Sequence, residues 1–216
     1  MDLHLLHYYY RSARHIARKH LVGCSVSPIP AFDRGGLEFF TAAIRSSRVY
    51  LEYGSGGSTI MAASHVSRLV SVEPDAMFAK AVRAALPETE AEISILTPWI
   101  GVTRDWSYPV FGRPTPARRA RWKRLPRAPW AVLSDTPDLI LVDGRFRVAC
   151  ALESLLHIGP ATRLLIDDYA GRDYGAVEQF GRLVAMHGRM AEFTKRSDFD
   201  EAACRTALET SYADVR

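Results

Sequence analysis

The sequence predicts an α/β protein built on one mostly parallel, doubly wound sheet. From residue 48 onward, short runs rich in apolar and β-branched residues alternate with stretches of helical character, which is typical of βαβ units. The chain has 216 residues, and 48% of them are apolar. It is therefore long enough to bury one sizeable core without a metal or a disulfide.

The N-terminal part is predicted to be helical and to precede the sheet. Residues 1–20 are rich in Arg and Lys, which favours a basic amphipathic helix. Asp33 is placed to cap a second helix over residues 36–46. We therefore divide the chain into a helical extension, residues 1–34, and an α/β domain, residues 35–216.

The strands of the sheet are recognised as short apolar runs that end near Gly, Pro or Asp. Pro74 stops the second strand, and Asp75 is placed to cap the helix that follows it. The predicted strands cover residues 48–53, 69–73, 92–96, 139–142 and 163–166. The predicted helices that follow the first two and the last two of these strands cover residues 58–65, 76–86, 146–157 and 174–187. Candidate closing strands cover residues 190–194 and 207–211.

Residues 98–137, here called the basic segment, are expected to form an insert or lid over the substrate mouth. The segment lacks acids between Asp105 and Asp135, and without the seven positive charges between these two acids the formal net charge of the chain would fall from +4 to −3. The alternatives are a solvated loop whose tryptophans pack on the core and, least favoured, a nucleic-acid surface. The charged residues are Arg113, Arg118, Arg119, Arg121, Lys123, Arg124 and Arg127, and the tryptophans are Trp99, Trp106, Trp122 and Trp130.

Composition excludes several classes of protein. The sequence lacks a run of about 18 apolar residues, so no membrane span is expected. Cys24, Cys150 and Cys204 are widely spaced and form no C-x-x-C pair, which favours reduced thiols in a cytoplasmic protein. The N-terminus has no apolar core of a secretory signal peptide, although its Arg-rich composition leaves an organellar transit peptide open.

The clearest local signal for function is LEYGSGGST, residues 51–59, at the turn from the first strand of the sheet to the next helix. Gly54 and Gly56 permit close backbone approach, and the helix start offers free N–H groups. Glu73 follows Gly54 by 19 residues and ends the second strand, where a carboxylate can accept hydrogen bonds from ribose hydroxyls. This combination predicts a nucleoside-bearing cofactor; the alternative is a tight turn with an incidental acid. Thr59 stands where a dinucleotide fingerprint has its third glycine.

These residues resemble motif I and the acidic second-strand motif of class I S-adenosylmethionine-dependent methyltransferases. LILVDGR, residues 139–145, and LLIDDY, residues 164–169, are similar to the fourth- and fifth-strand motifs of small O-methyltransferases of the catechol group. The resemblance implies a Rossmann-like fold in which the glycine loop wraps the methionine part of the cofactor and Glu73 holds the ribose. The cofactor-binding residues it implies are Glu52, Gly54, Ser55, Gly56, Gly57, Ser58, Thr59, Glu73 and Asp143.

The resemblance also implies an acceptor site where the fourth and fifth strands end. Acids at these positions bind magnesium in the metal-dependent members, and Asp143, Asp167 and Asp168 occupy them here. Three neighbouring carboxylates repel one another unless a cation intervenes, so a magnesium site is one interpretation. The other is an ion pair of Arg145 with Asp167 or Asp168, or an Arg145 free to bind an acidic substrate. No lysine matches the base of the catechol type. The expected catalytic residues are Asp143, Arg145 and Asp168.

We therefore expect methyl transfer from S-adenosylmethionine to an oxygen or nitrogen nucleophile of a small acceptor, which Arg145 would allow to be anionic. Two alternatives stay open. An NAD-dependent oxidoreductase is disfavoured by Thr59 and by the absence of a recognisable tyrosine–lysine pair for hydride transfer. A catalytically inactive nucleoside-binding domain could serve as a basic interaction module. A nucleic-acid partner is the least favoured of the interpretations, and the sequence indicates no particular oligomeric state.

Overall fold

The computed structural model describes residues 3–216, with side chains from residue 7 onward, and it confirms the predicted fold class. Its seven strands are β1 (Val49–Tyr53), β2 (Arg68–Val72), β3 (Glu92–Leu96), β4 (Leu139–Val142), β5 (Arg163–Ile166), β6 (Gly181–His187) and β7 (Met190–Lys195). They form one sheet in the order β3-β2-β1-β4-β5-β7-β6. The pairs among β1 to β5 are parallel, and β7 runs antiparallel to both of its neighbours.

Nine α-helices connect the strands of the described chain or flank the sheet. They are α1 (Leu3–Val22), α2 (Arg34–Arg45), α3 (Gly57–Ala63), α4 (Ala76–Ala84), α5 (Pro116–Trp122), α6 (Arg124–Arg127), α7 (Arg147–His157), α8 (Gly175–Glu178) and α9 (Glu201–Ser211). The predicted caps are confirmed, because Asp33 accepts a hydrogen bond from the Gly36 N–H at 2.8 Å and Asp75 accepts two at 3.1 Å. No helix within residues 3–216 is long and apolar enough to cross a membrane.

The central strands are buried on both faces, which explains why they read as continuous apolar runs. Every residue of β1 and β4 is buried. Leu51 and Tyr53 of β1 pack into a core with α7 and the basic segment, whereas Tyr50 packs into a second core with Phe40 of α2 and Ala62 of α3. Helices therefore cover both faces of the sheet, and the carboxyl ends of its strands form an edge where a ligand can bind.

Two predictions near the C-terminus are wrong. Residues 174–187 do not form one helix; they form the short helix α8 and the strand β6. β6 is an edge strand on which the apolar residues Leu183, Val184 and Met186 each remain 40–45% exposed. Apolar and polar residues therefore do not alternate along it, and its sequence lacks the usual pattern of a half-buried strand. Residues 207–211, the candidate strand, form the end of the helix α9. Asp200 caps the start of this helix, because its side chain accepts a hydrogen bond from the Ala203 N–H.

The basic segment is partly folded onto the sheet. Trp122 is buried in the core beside α7, and the Trp130 indole N–H donates to the Tyr53 hydroxyl at 3.0 Å. Trp99 and Trp106 remain exposed, at 54% and 80%. Part of the segment therefore completes the core and part stays at the surface, and its role as a lid remains a prediction.

Candidate cofactor and acceptor site

A cavity of about 600 Å³ opens where β1, β2 and β4 end. This is the point at which the strand order reverses, because β2 and β4 lie on opposite sides of β1 and are reached in opposite directions along the sheet. Its volume lies in the range of small-molecule and cofactor sites. Its wall includes Gly54, Ser55, Gly56, Gly57, Ser58, Glu73, Asp143 and Arg145 of the predicted site residues.

The glycine loop after β1 is held by two close backbone contacts. Gly54 has a φ of +100°, and a Cβ at this position would lie 2.8 Å from the Gly144 nitrogen. A Cβ on Gly57 would lie 2.5 Å from the Ile29 carbonyl carbon. Gly56, in contrast, has no atom within 4 Å of the position of its missing Cβ. Two glycines are therefore required by packing, and the third leaves open space in the cavity wall.

Glu52 of β1 stabilises this loop through hydrogen bonds to its side chains. The fully buried carboxylate accepts hydrogen bonds from the hydroxyls of Tyr50 at 2.9 Å, Ser58 at 2.7 Å, and Thr59. Burial raises the pKa of Glu52, and the hydroxyls that donate to it oppose that shift. Glu52 and Thr59, which we expected to contact a cofactor, are absent from the cavity wall because their polar atoms bond to each other. They attach the start of α3 to β1.

Glu73 lies at the carboxyl end of β2 and is 4% exposed. Its Oε1 accepts from the Ser107 hydroxyl at 2.6 Å and from the Asp75 N–H at 2.8 Å, while Oε2 has no hydrogen-bond partner among the described residues. Burial raises the pKa of Glu73 to about 7, although these two hydrogen bonds lower it. One carboxylate oxygen is thus held by the protein and the other is available to a ligand.

The helix α1 forms part of the cavity wall. The sequence predicted the helix but not this contact with the site. Lys19 pairs with Asp75, and His15 Nδ1 lies 2.5 Å from Asp105 Oδ1. Asp105 belongs to residues 103–109, here called the hairpin, which is closed by a bridge between Thr103 and Pro109. No local pattern could have indicated these contacts, because they join segments 56 or more residues apart.

The acids after β4 and β5 are joined by an arginine. Arg147 is 4% exposed, and its guanidinium lies 3.0 Å from Asp143 Oδ1 and 3.9 Å from Asp168 Oδ2. It also donates to the main-chain carbonyl of Asp167. In the described part of the chain no three potential ligands form a metal-binding group. The magnesium interpretation therefore has no support. The acids do form ion pairs, as the alternative interpretation expected, but their partner is Arg147 and not Arg145.

Asp143 lies in the cavity wall and Asp168 does not. Burial raises the pKa of Asp143 to about 7; Arg147 opposes this shift, and the charges of Asp167 and Asp168 add to it. Asp168 is held more tightly, because its carboxylate also pairs with two exposed arginines. These are Arg172 at 3.2 Å and Arg189 at 3.1 Å.

Replacing Arg147 with methionine is expected to lower the free energy of unfolding by about 2 kcal/mol at pH 8, because it removes the buried cation that pairs with the partly buried carboxylates of Asp143 and Asp168. The loss should be smaller at pH 5, where Asp143, with its raised pKa, can take up a proton. Urea unfolding at the two pH values measures both effects. Arg172→Met removes a half-exposed partner of Asp168 and should cost less than about 1 kcal/mol. Equal losses for Arg147→Met at both pH values would contradict this account.

Arg145 does not form the predicted ion pair with Asp167 or Asp168. Its guanidinium lies over the Tyr108 ring, 4.1 Å from the ring centre. Its Nε is buried and has no hydrogen-bond partner among the described residues. Arg145 therefore contributes a cation to the cavity wall that the described protein leaves without an acid.

The sheet order, the glycine loop and the cavity define a Rossmann-like α/β protein of the methyltransferase type. The chain is 33% identical to a methyltransferase-like protein from Silicibacter pomeroyi, with a TM-score of 0.76 over 86% of this chain and 97% of that one. It belongs to the same methyltransferase-like family.

Two further solved structures are more distant. The N-methyltransferase NodS from Bradyrhizobium japonicum, in complex with S-adenosyl-L-homocysteine, is 13% identical over 88% of this chain and 99% of that one, with a TM-score of 0.47. A TehB-like SAM-dependent methyltransferase from Corynebacterium glutamicum is 14% identical over the same shares, with a TM-score of 0.42. No protein-family model and no curated protein matches the sequence.

Proposed function

We propose that the protein transfers a methyl group from S-adenosylmethionine to an oxygen or nitrogen nucleophile of a small acceptor. One observation carries this proposal: the glycine loop, Glu73 and Asp143 line the same cavity at the reversal point of the sheet. Membership of the methyltransferase-like family supports it. The cofactor, when bound, supplies a methyl group on a positively charged sulfur, so the protein has chiefly to position the acceptor.

The residues of the cavity wall fit such a cofactor. The missing side chain of Gly56 leaves room beside the loop, which suits the amino-acid part of the molecule. The unpartnered Oε2 of Glu73 is an acceptor for ribose hydroxyl groups. The residues that would hold the cofactor are therefore Gly54, Ser55, Gly56, Gly57, Ser58 and Glu73, with Asp143 beside them.

Asp143 is the group that would take the proton of the acceptor. Its pKa of about 7 keeps it partly ionised at neutral pH, close to the optimum for a general base. Arg147 holds Oδ1 at 3.0 Å, which leaves Oδ2 for the acceptor. Asp168, expected to be catalytic, is better described as a positioning residue, because it contacts Arg147 and is absent from the cavity wall.

Calorimetric titration of the protein with S-adenosylhomocysteine, repeated in an excess of NAD, tests the proposal. We expect saturable micromolar binding of S-adenosylhomocysteine that NAD does not reduce. Binding of NAD alone would instead support an oxidoreductase. If neither ligand produces heat or a thermal shift, the glycine loop is a structural turn and the basic interaction module becomes the better account.

A further inference from the structure

Arg145 occupies an unusual position in the cavity wall. It is the second residue after Asp143, in the turn between β4 and α7. Its guanidinium carbon lies over the Tyr108 ring of the hairpin, 4.1 Å from the ring centre, and its Nε is buried without a hydrogen-bond partner in the described chain. The ring attracts the cation, but it gives the buried N–H no hydrogen-bond acceptor.

The other cations of the cavity wall have different surroundings. Lys19 is paired with Asp75, and His15 lies against Asp105. Within residues 7–216, Arg18 and Arg145 are the two cavity-lining cations with no carboxylate within 4.0 Å, and Arg18 is exposed to water. Removing a charged group from water without hydrogen-bond partners costs free energy. A ligand that reaches Arg145 would supply the missing partners.

We propose that Arg145 binds a carboxylate group of the methyl acceptor. This inference rests on the proposed function, because it assigns the acceptor end of the same cavity. A guanidinium presents its N–H groups as a planar fork, which suits the two oxygens of a carboxylate. The acceptor would then be a small carboxylic acid that also carries a hydroxyl or amino group.

The charge of the cavity wall favours a carboxylate over a phosphate. Asp143 lies in the same wall, and its negative charge acts on Arg145. A phosphate bound at Arg145 would bring nearly two negative charges beside the carboxylate of Asp143. A carboxylate brings one negative charge, which the Arg145 guanidinium neutralises. Inorganic phosphate is therefore a competing ligand in the test.

The experiment is a ligand-observed NMR titration of the protein saturated with S-adenosylhomocysteine. The probes are three acids, each with its own amide: glycolate and glycolamide, 4-hydroxybenzoate and 4-hydroxybenzamide, and anthranilate and anthranilamide. At least one acid is expected to bind about tenfold or more tightly than its amide. Arg145→Met should remove this preference, whereas Arg145→Lys should restore part of it. Affinity for S-adenosylhomocysteine should stay unchanged in both variants, which also shows that they are folded.

Arg121→Met is the matched control. The Arg121 guanidinium also lies over an aromatic ring, 4.8 Å from the centre of the Trp99 ring, but Arg121 is exposed and is absent from the cavity wall. This variant should keep the preference for the acid. The proposal is overturned if no acid binds better than its amide, if Arg145→Met binds the acid as tightly as the wild type does, or if phosphate binds more tightly than every acid.

Titration of the cofactor-free protein separates the two proposals. If S-adenosylhomocysteine does not bind, the proposed function fails by itself. A preference for acids that depends on Arg145 in the free protein would still establish the anion site. If that preference is absent as well, the inference about Arg145 is overturned independently of the cofactor.

Discussion

Glu73→Ala is expected to weaken the binding of S-adenosylhomocysteine by roughly 10- to 100-fold, because it removes hydrogen bonds from ribose hydroxyls to a charged acceptor. The carboxylate is buried where β2 ends, with Oε1 held by Ser107 and Asp75 and with Oε2 unpartnered in the described structure. Calorimetry measures the change directly. Glu88→Ala, at an exposed position outside the cavity wall, is the control and should leave the affinity unchanged.

The same carboxylate should make the affinity depend on pH. The pKa of Glu73 is raised to about 7, and the proposed hydrogen bonds from ribose hydroxyls need its ionised form, so affinity should fall as pH drops through 7. The expected loss between pH 8 and pH 6 is roughly tenfold. It should persist in Asp143→Asn, which removes the other cavity carboxyl with a pKa of about 7, and disappear in Glu73→Gln. An unchanged pH dependence in Glu73→Gln would show that a different group is responsible.

Gly54→Ala is expected to lower the free energy of unfolding by about 3 kcal/mol. The new methyl group would lie 2.8 Å from the Gly144 nitrogen, and the residue would have to keep a φ of +100°. The steric clash cannot be relieved by moving a flexible side chain, because the nearest atoms are backbone atoms of Asp143 and Gly144. Urea unfolding of the variant and the wild type measures the loss.

Gly56→Ala provides the matched comparison two residues away. Its methyl group would meet no atom within 4 Å, so the free energy of unfolding should change by less than about 0.5 kcal/mol. The methyl group would, however, enter the space assigned to the cofactor, and binding of S-adenosylhomocysteine should weaken. Equal stability losses in the two variants would mean that the close approach of Gly54 to Gly144 does not occur.

Structural features that depend only on residues close together in the chain could be predicted from the sequence. The buried strands β4 and β5 have the predicted bounds, because a strand covered on both faces has a nearly uninterrupted apolar sequence. The caps Asp33 and Asp75 were recognisable because a helix start needs a side-chain acceptor at a fixed place.

The edge strand β6 did not carry such a signal. It is exposed along much of its length, so its apolar residues could equally belong to a helix. Gly188, with a φ of +63°, lies in the two-residue turn between β6 and β7, and a glycine between two apolar runs is the signal that would have indicated a hairpin.

The components of the candidate site divide in the same way. The glycine loop and Glu73 belong to one βαβ unit, and their spacing is visible in the sequence. Three other features depend on contacts between distant parts of the folded chain. They are the cavity wall formed by α1, the hydrogen bond from Ser107 to Glu73, and the position of Arg147 between two acids. Sequence spacing also could not decide which of Arg145 and Arg147 forms the ion pairs, since each follows Asp143 within one helical turn.

The contact between Gly54 and Gly144 joins the two halves of the cavity. Gly54 begins the loop assigned to the methyl donor, and Gly144 lies between Asp143 and Arg145, the two residues assigned to the acceptor. With no side chain between these backbones, a small displacement of one loop must move the other. Donor and acceptor would then bind as linked ligands, each changing the affinity of the other by the same factor.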